Sequence, residues 1–243
     1  KMKLFTGAIT AIVTPFQEDG SVDKSSLIDL VDWQIAEGID GIVVCGSTGE
    51  AATLTEEEYS EVITTVVKTS HKRVPVIAGA GSNDTQKAIH LSLLAKEAGV
   101  DGLLHVTPYY NKPTPKGLIA HFKAVADAVS LPLILYNVPG RTGSNVTPSV
   151  IQTIIREVPD VVAVKEASGD LGQMMELIQK GPQNVSILSG DDALTLPLLS
   201  VGGDGCISVV ANEVPRLFSA LVHKGLSGDF ETARTLHYQL LEL

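Results

Sequence analysis

The chain has 243 residues, 44% of them hydrophobic, which is enough for one large core. It carries 18 basic against 28 acidic residues, a net charge of −10, and the basic ones are scattered, which excludes an electrostatic footprint for nucleic acid or an anionic membrane. An anionic substrate must then be met by local positive groups. Cys45 and Cys206 lie in apolar runs with neither CxxC spacing nor a Cys/His cluster, and they read as reduced, packed thiols of a cytoplasmic protein.

At the N-terminus, KMKLFTGAITAIVTPF sets two lysines ahead of an apolar stretch, but Thr6, Gly7, Thr10 and Pro15 interrupt it, so a first strand is expected rather than a signal peptide. Short apolar runs then recur at 8–13, 41–45, 74–78, 102–106, 131–136, 161–164, 185–188 and 205–210. None approaches the length of a membrane span. Helix-start chemistry separates them: Asp23 before KSSLIDLVDWQIAEG, Thr55 with Glu58 as a capping box, Thr114-Pro115 and Thr147-Pro148. Near-continuous apolar strands alternating with helices predict an α/β protein with a parallel sheet, and eight units in about 225 residues predict a (β/α)8 TIM barrel. The stretch SGDFETARTLHYQLLEL predicts one further helix, giving a catalytic barrel over 1–225 and the start of a C-terminal helical region over 226–243.

The strand C-termini of such a barrel surround its active site. Strand six, VVAV, runs into Lys165, whose apolar neighbours would disfavour the ammonium form and lower its pKa by ~3 units, into the range of an amine nucleophile. Alternatively, Lys165 snorkels to the rim or pairs with Glu166. Strand two enters CGSTGEAATLTEEE, where Gly46, Ser47, Thr48 and Gly49 suit a small carboxylate or phosphate without the lysine of a P-loop, or form an ordinary glycine turn. Strand four ends in HVTPYYNKPTPKG and strand five in LILYNVPGRTG, so Tyr109, Tyr110, Tyr136 and Arg141 project from the same end; alternatively, the tyrosines merely pack with their hydroxyls wet and Arg141 is a surface charge on a Pro-Gly turn. In SGDD, Asp191 and Asp192 point opposite ways, which favours helix capping over a metal site. The six histidines form no HxxxH or HExxH pattern and read as structural or exposed.

With GSTGE (46–50), VTPYYNKP (106–113), YNVPGRTG (136–143), VKEASGDL (164–171) and SGDD (189–192) in this order, the whole chain resembles the dihydrodipicolinate synthase and N-acetylneuraminate lyase family of class I aldolases. The resemblance implies a Schiff base between Lys165 and pyruvate, with no separate cofactor and no metal. It makes Tyr136 the proton shuttle, linked through Thr48 or Ser47 to Tyr110, which in this family comes from a neighbouring subunit of a dimer within a tetramer. It implies that the backbone and hydroxyls of Gly46, Ser47, Thr48 and Gly49 bind the pyruvate carboxylate, and that Gly190 and Ile207 line the lysine pocket. Arg141 would hold the carboxylate of the second substrate.

Within the family, the GRTG arginine is typical of synthases, whose second substrate is aspartate β-semialdehyde and whose product, 4-hydroxy-tetrahydrodipicolinate, feeds diaminopimelate and lysine formation. N-acetylneuraminate lyases and 2-keto-3-deoxy sugar acid aldolases are the alternatives. Lysine-inhibited members have a regulatory pocket with acidic and histidine side chains. The matching positions here read Ala51, Glu56, Tyr59 and Lys87, and a cation at Lys87 implies weak or absent feedback by lysine. Family chains usually continue through a small C-terminal helical bundle, whereas this sequence stops within what reads as its first helix.

Overall fold

The computed structural model describes residues 3–241 and residue 243. Eight parallel strands close into a barrel in chain order: β1 (Gly7–Ala11), β2 (Gly41–Val44), β3 (Val76–Gly79), β4 (Gly102–Val106), β5 (Leu133–Asn137), β6 (Val161–Glu166), β7 (Ser186–Ser189) and β8 (Gly205–Ser208). Helices cover the outside: α1 (Lys24–Ala36), α2 (Glu56–Ser70), α3 (Thr85–Ala98), α4 (Pro115–Val129), the four-residue α5 (Pro139–Thr142), α6 (Pro148–Glu157), α7 (Leu171–Lys180), α8 (Thr195–Ser200) and α9 (Pro215–Leu226). The predicted (β/α)8 TIM barrel is therefore present. A last helix, α10 (Phe230–Leu240), lays Phe230, Leu236 and Leu240 against a cluster that includes Phe218 and Leu221. Among the described residues, no helix is long and apolar enough to cross a membrane.

Alternation along each strand divides the apolar residues into two layers. Ile9, Val43, Ile77, Leu104, Ile134, Ala163, Leu188 and Ile207 fill the barrel, while Ile42, Val76, Leu103, Leu133, Leu135 and Val164 face the helices. Both layers are needed because a parallel sheet is buried on both faces. The same alternation decides the chemistry at the C-terminal ends of β5 and β6. Tyr136 and Lys165 follow the inward residues Ile134 and Ala163, while Asn137 and Glu166 point outward.

The strand limits differ from the sequence reading. β5 and β6 each run one residue beyond Tyr136 and Lys165, because Asn137 and Glu166 continue the ladder as a register pair. Residues 209 and 210 leave β8 for a short 3-10 turn, since the Asp192 carboxylate accepts both of their backbone N–H groups. Asp191 accepts from the N–H of Ala193, so both aspartates act as caps.

Candidate active site

Lys165 sits on β6, in register with Tyr136 on β5, and both face the C-terminal mouth of the barrel. Lys165 is only 5% exposed, and its Nζ stands 4.3 Å from the centroid of the Tyr136 ring. The outward direction of Glu166 removes the ion-pair alternative: that carboxylate is fully buried and accepts from Asn137, Ser168 and Gln173. Nor does Lys165 reach bulk water.

Burial pushes the Lys165 amine down to about 8. Cys206 and Asp192 act in the opposite direction, and Arg141 pushes it down further. Burial also pushes the Cys206 thiol up, so it is uncharged near neutrality and Asp192 is the effective anion. Tyr136 is raised by burial and eased back by Arg141, so its phenol keeps its proton at neutral pH.

Lys165, Tyr136 and Arg141 line a cavity of ≈ 230 Å³. Gly46, Ser47 and Thr48 from the loop after β2 form one side, with Tyr136 and Lys165 at the base and Arg141 and Gly190 completing the wall. The loop is shaped by Cys45 and Glu50, both in the left-handed region, and by hydrogen bonds from Glu50 N to Ser47 O and from Ala51 N to Gly46 O. Arg141 rides on α5 rather than on an open turn. Gly190 has a steric role: a Cβ there would lie 3.0 Å from Lys165 Cε and 2.7 Å from Ala167 Cβ, so only hydrogen leaves the lysine stem its path.

Three expected site residues lie elsewhere. Gly49 is buried behind the loop, where its carbonyl accepts from Thr14 Oγ1 at 2.7 Å, and it supports the loop without lining the cavity. Ile207, 1% exposed, belongs to the packed barrel layer with Ala163 and Leu188 and does not line the cavity. Tyr110 is 89% exposed in the loop after β4, so the relay from Tyr136 through Thr48 or Ser47 to Tyr110 is not assembled within one chain. Asp191, read from sequence only as a cap, also lines the cavity. Its position beside Gly190 at the end of β7 was the available signal, masked by the adequacy of capping as an explanation.

A second cavity, ≈ 360 Å³, shares Gly46, Ser47 and Tyr136 with the first and gathers Ala51, Glu56, Tyr59 and Lys87. Glu56 is engaged by His90 Nε2 at 2.9 Å.

A desolvated amine beside a protonated phenol, below a cation and a loop of small polar residues, is equipped to form an imine with an anionic keto acid. Comparison with known proteins gives the family. The family model for the dihydrodipicolinate synthetase family matches residues 4–243. The 4-hydroxy-tetrahydrodipicolinate synthase of Maridesulfovibrio salexigens is 55% identical over 239 residues, covering 98% of this chain and 82% of the relative. The dihydrodipicolinate synthase structure from Aquifex aeolicus superposes with a TM-score of 0.95 at 44% identity, covering 98% of this chain and 81% of that one. The chloride-inhibited dihydrodipicolinate synthase from Acinetobacter baumannii, complexed with pyruvate, gives 0.94 at 45% identity and covers 97% and 80%. The chain belongs to the dihydrodipicolinate synthetase family.

Proposed function

We propose that this protein condenses pyruvate with aspartate β-semialdehyde to give 4-hydroxy-tetrahydrodipicolinate through a Schiff base on Lys165. The observation that carries the reading is the placement of the Lys165 amine, buried and 4.3 Å from the Tyr136 ring, in one cavity with Arg141. The neutral amine adds to the pyruvate ketone, and loss of water leaves the protonated imine, with Tyr136 passing protons to and from the departing oxygen. The imine draws electrons from the methyl group, which loses a proton and becomes an enamine. That carbon attacks the aldehyde of the second substrate, forming the carbon–carbon bond. The second substrate's own amine then attacks the imine carbon, Lys165 leaves as the free amine, and the ring closes.

The loop of Gly46, Ser47 and Thr48 takes the pyruvate carboxylate, and Arg141 takes that of the semialdehyde. Tyr110 acts in the site of a second copy of the chain. Its exposure at 89% and its left-handed backbone on the rim support this role, since a lone subunit gives that side chain nothing to do.

Incubation with pyruvate followed by borohydride should fix the adduct on Lys165, located by mass spectrometry; an unmodified Lys165 overturns the reading. Turnover of aspartate β-semialdehyde should far exceed cleavage of N-acetylneuraminate. Arg141→Ala should raise KM for the semialdehyde at least tenfold while pyruvate trapping persists.

A further inference from the structure

Behind the Lys165–Tyr136 pair, on the outer face of the same two strands, lies a polar network beyond the apolar Leu133, Leu135 and Val164. Glu166, fully buried, accepts four hydrogen bonds: from Asn137 Nδ2 to both oxygens at 3.1 Å, from Ser168 N at 2.8 Å and from Gln173 Nε2 at 3.0 Å. Asn137 follows Tyr136 as Glu166 follows Lys165, and the two are register partners. The network also closes the excursion that carries Arg141. Asn137 Nδ2 donates to Asn145 Oδ1 at 2.9 Å, Asn137 Oδ1 accepts from Val146 N at 3.0 Å, and Asn145 and Gln173 exchange hydrogen bonds at 2.9 and 3.2 Å.

We propose that Glu166 is a positioning residue: its carboxylate ties the ends of β5 and β6 and both feet of the Arg141 excursion to α7 from outside the barrel, and so sets how Lys165, Tyr136 and Arg141 face one another. The inference rests on the Schiff-base reading of Lys165. Apolar packing would close this layer without desolvating a carboxylate, but it has no direction, whereas a fully satisfied hydrogen-bond network specifies one geometry. Direction matters here because a misplacement of about 1 Å at a reacting centre can cost on the order of a hundredfold in rate. Every contact to Glu166 comes from a donor, so the amide of Glu166→Gln would set N–H against N–H whichever way it turned.

The test is the rate of borohydride trapping with pyruvate, followed against pH in wild type, Glu166→Gln and the double variant Glu166→Gln with Gln173→Glu. The double variant returns a carboxylate to the network: the amide at position 166 still accepts from Asn137 and Ser168 through its oxygen, and its N–H donates to the carboxylate at position 173, which in turn gives up the donations that Gln173 makes to Asn145 Oδ1 and Val146 O, so recovery is partial. Expected are a fall of about tenfold or more in Glu166→Gln, an inflection moved to higher pH as the amine gains water, and partial recovery of both in the double variant. Tyr136, Arg141, Asp192 and Cys206, which face Lys165, are unchanged in all three. A folded Glu166→Gln that traps at the wild-type rate overturns the inference. So does one that is slower with its inflection unmoved and no recovery, which marks general loss of structure. If Glu166→Gln does not fold, Gln173→Met removes one of the donors to Glu166, along with the hydrogen bonds Gln173 makes to Asn145 and Val146, and should move rate and inflection in the same direction; wild-type values there overturn the inference. Absence of trapping in the wild type overturns the Schiff-base reading, and this inference with it.

Discussion

Opposing influences hold the Lys165 amine at a useful compromise. The face of Tyr136 and the Asp192 carboxylate favour the ammonium, while burial, the larger influence, and the Arg141 cation oppose it. With the pKa lowered to about 8, the neutral fraction at pH 7 is about 300-fold that of an ordinary lysine. Trapping by pyruvate should therefore climb about tenfold per pH unit in acid and level off near pH 8; a rise continuing past pH 10 would mean an amine in water. Gly190 guards this arrangement, since a methyl there must displace Ala167 or the lysine stem. Gly190→Ala should cut the trapping rate of the folded variant by about tenfold or more, and an unchanged rate would show that the stem has another path.

Capping chemistry made the helices legible. Asp23 accepts from Ser26 N, Thr55 and Glu58 form the expected reciprocal box, and Thr114 accepts from Gly117 N ahead of Pro115. The ends of β5 and β6 were less legible, because Asn137 and Glu166 break the apolar pattern and only a network spanning distant segments explains them. Arg141 was legible as a rim cation but not as part of a helix, since Pro139-Gly140 reads locally as a turn. Between α2, α3 and the loop after β2, the sequence reading did gather Ala51, Glu56, Tyr59 and Lys87, and these line one cavity. A free lysine entering there would bring an ammonium group toward Lys87 and find Glu56 already engaged by His90. Millimolar lysine should leave the condensation rate unchanged in steady-state assays, and a micromolar inhibition constant would refute the charge argument.

At the scale of the molecule, the two faces of each strand separate chemistry from stability; the eight apolar runs made the barrel legible, while near-continuous apolar strands left open which residue faced which way. What one chain could not reveal is how Tyr110 is used, since the residue meets nothing within its own barrel. β4 shows the division clearly. Leu104 faces the barrel, while His105 points outward, fully buried, with Nε2 3.1 Å from Ser92 Oγ and its ring edge-on to Phe122. Burial, reinforced by nearby His121, pushes His105 down to about 3, whereas in the unfolded chain it titrates at an ordinary 6.5. Above pH 6.5 the ring is neutral in both states and stability is insensitive to it. Below 6.5 the unfolded chain takes up a proton that the fold refuses, so stability falls by ~1.4 kcal/mol per pH unit until about pH 3, or about 2 kcal/mol between pH 7 and pH 5. His121, also lowered by burial, adds to the same trend. His105→Leu removes the titrating ring, leaves Ser92 Oγ bonded to Ala88 O at 2.6 Å, and lies on the opposite face from the cavity. Urea unfolding at pH 7 and pH 5 should show a loss of stability smaller by about 2 kcal/mol in the variant than in the wild type, with pyruvate trapping retained. Equal losses in both would mean that His105 is reached by water and takes no part in the acid sensitivity of the barrel.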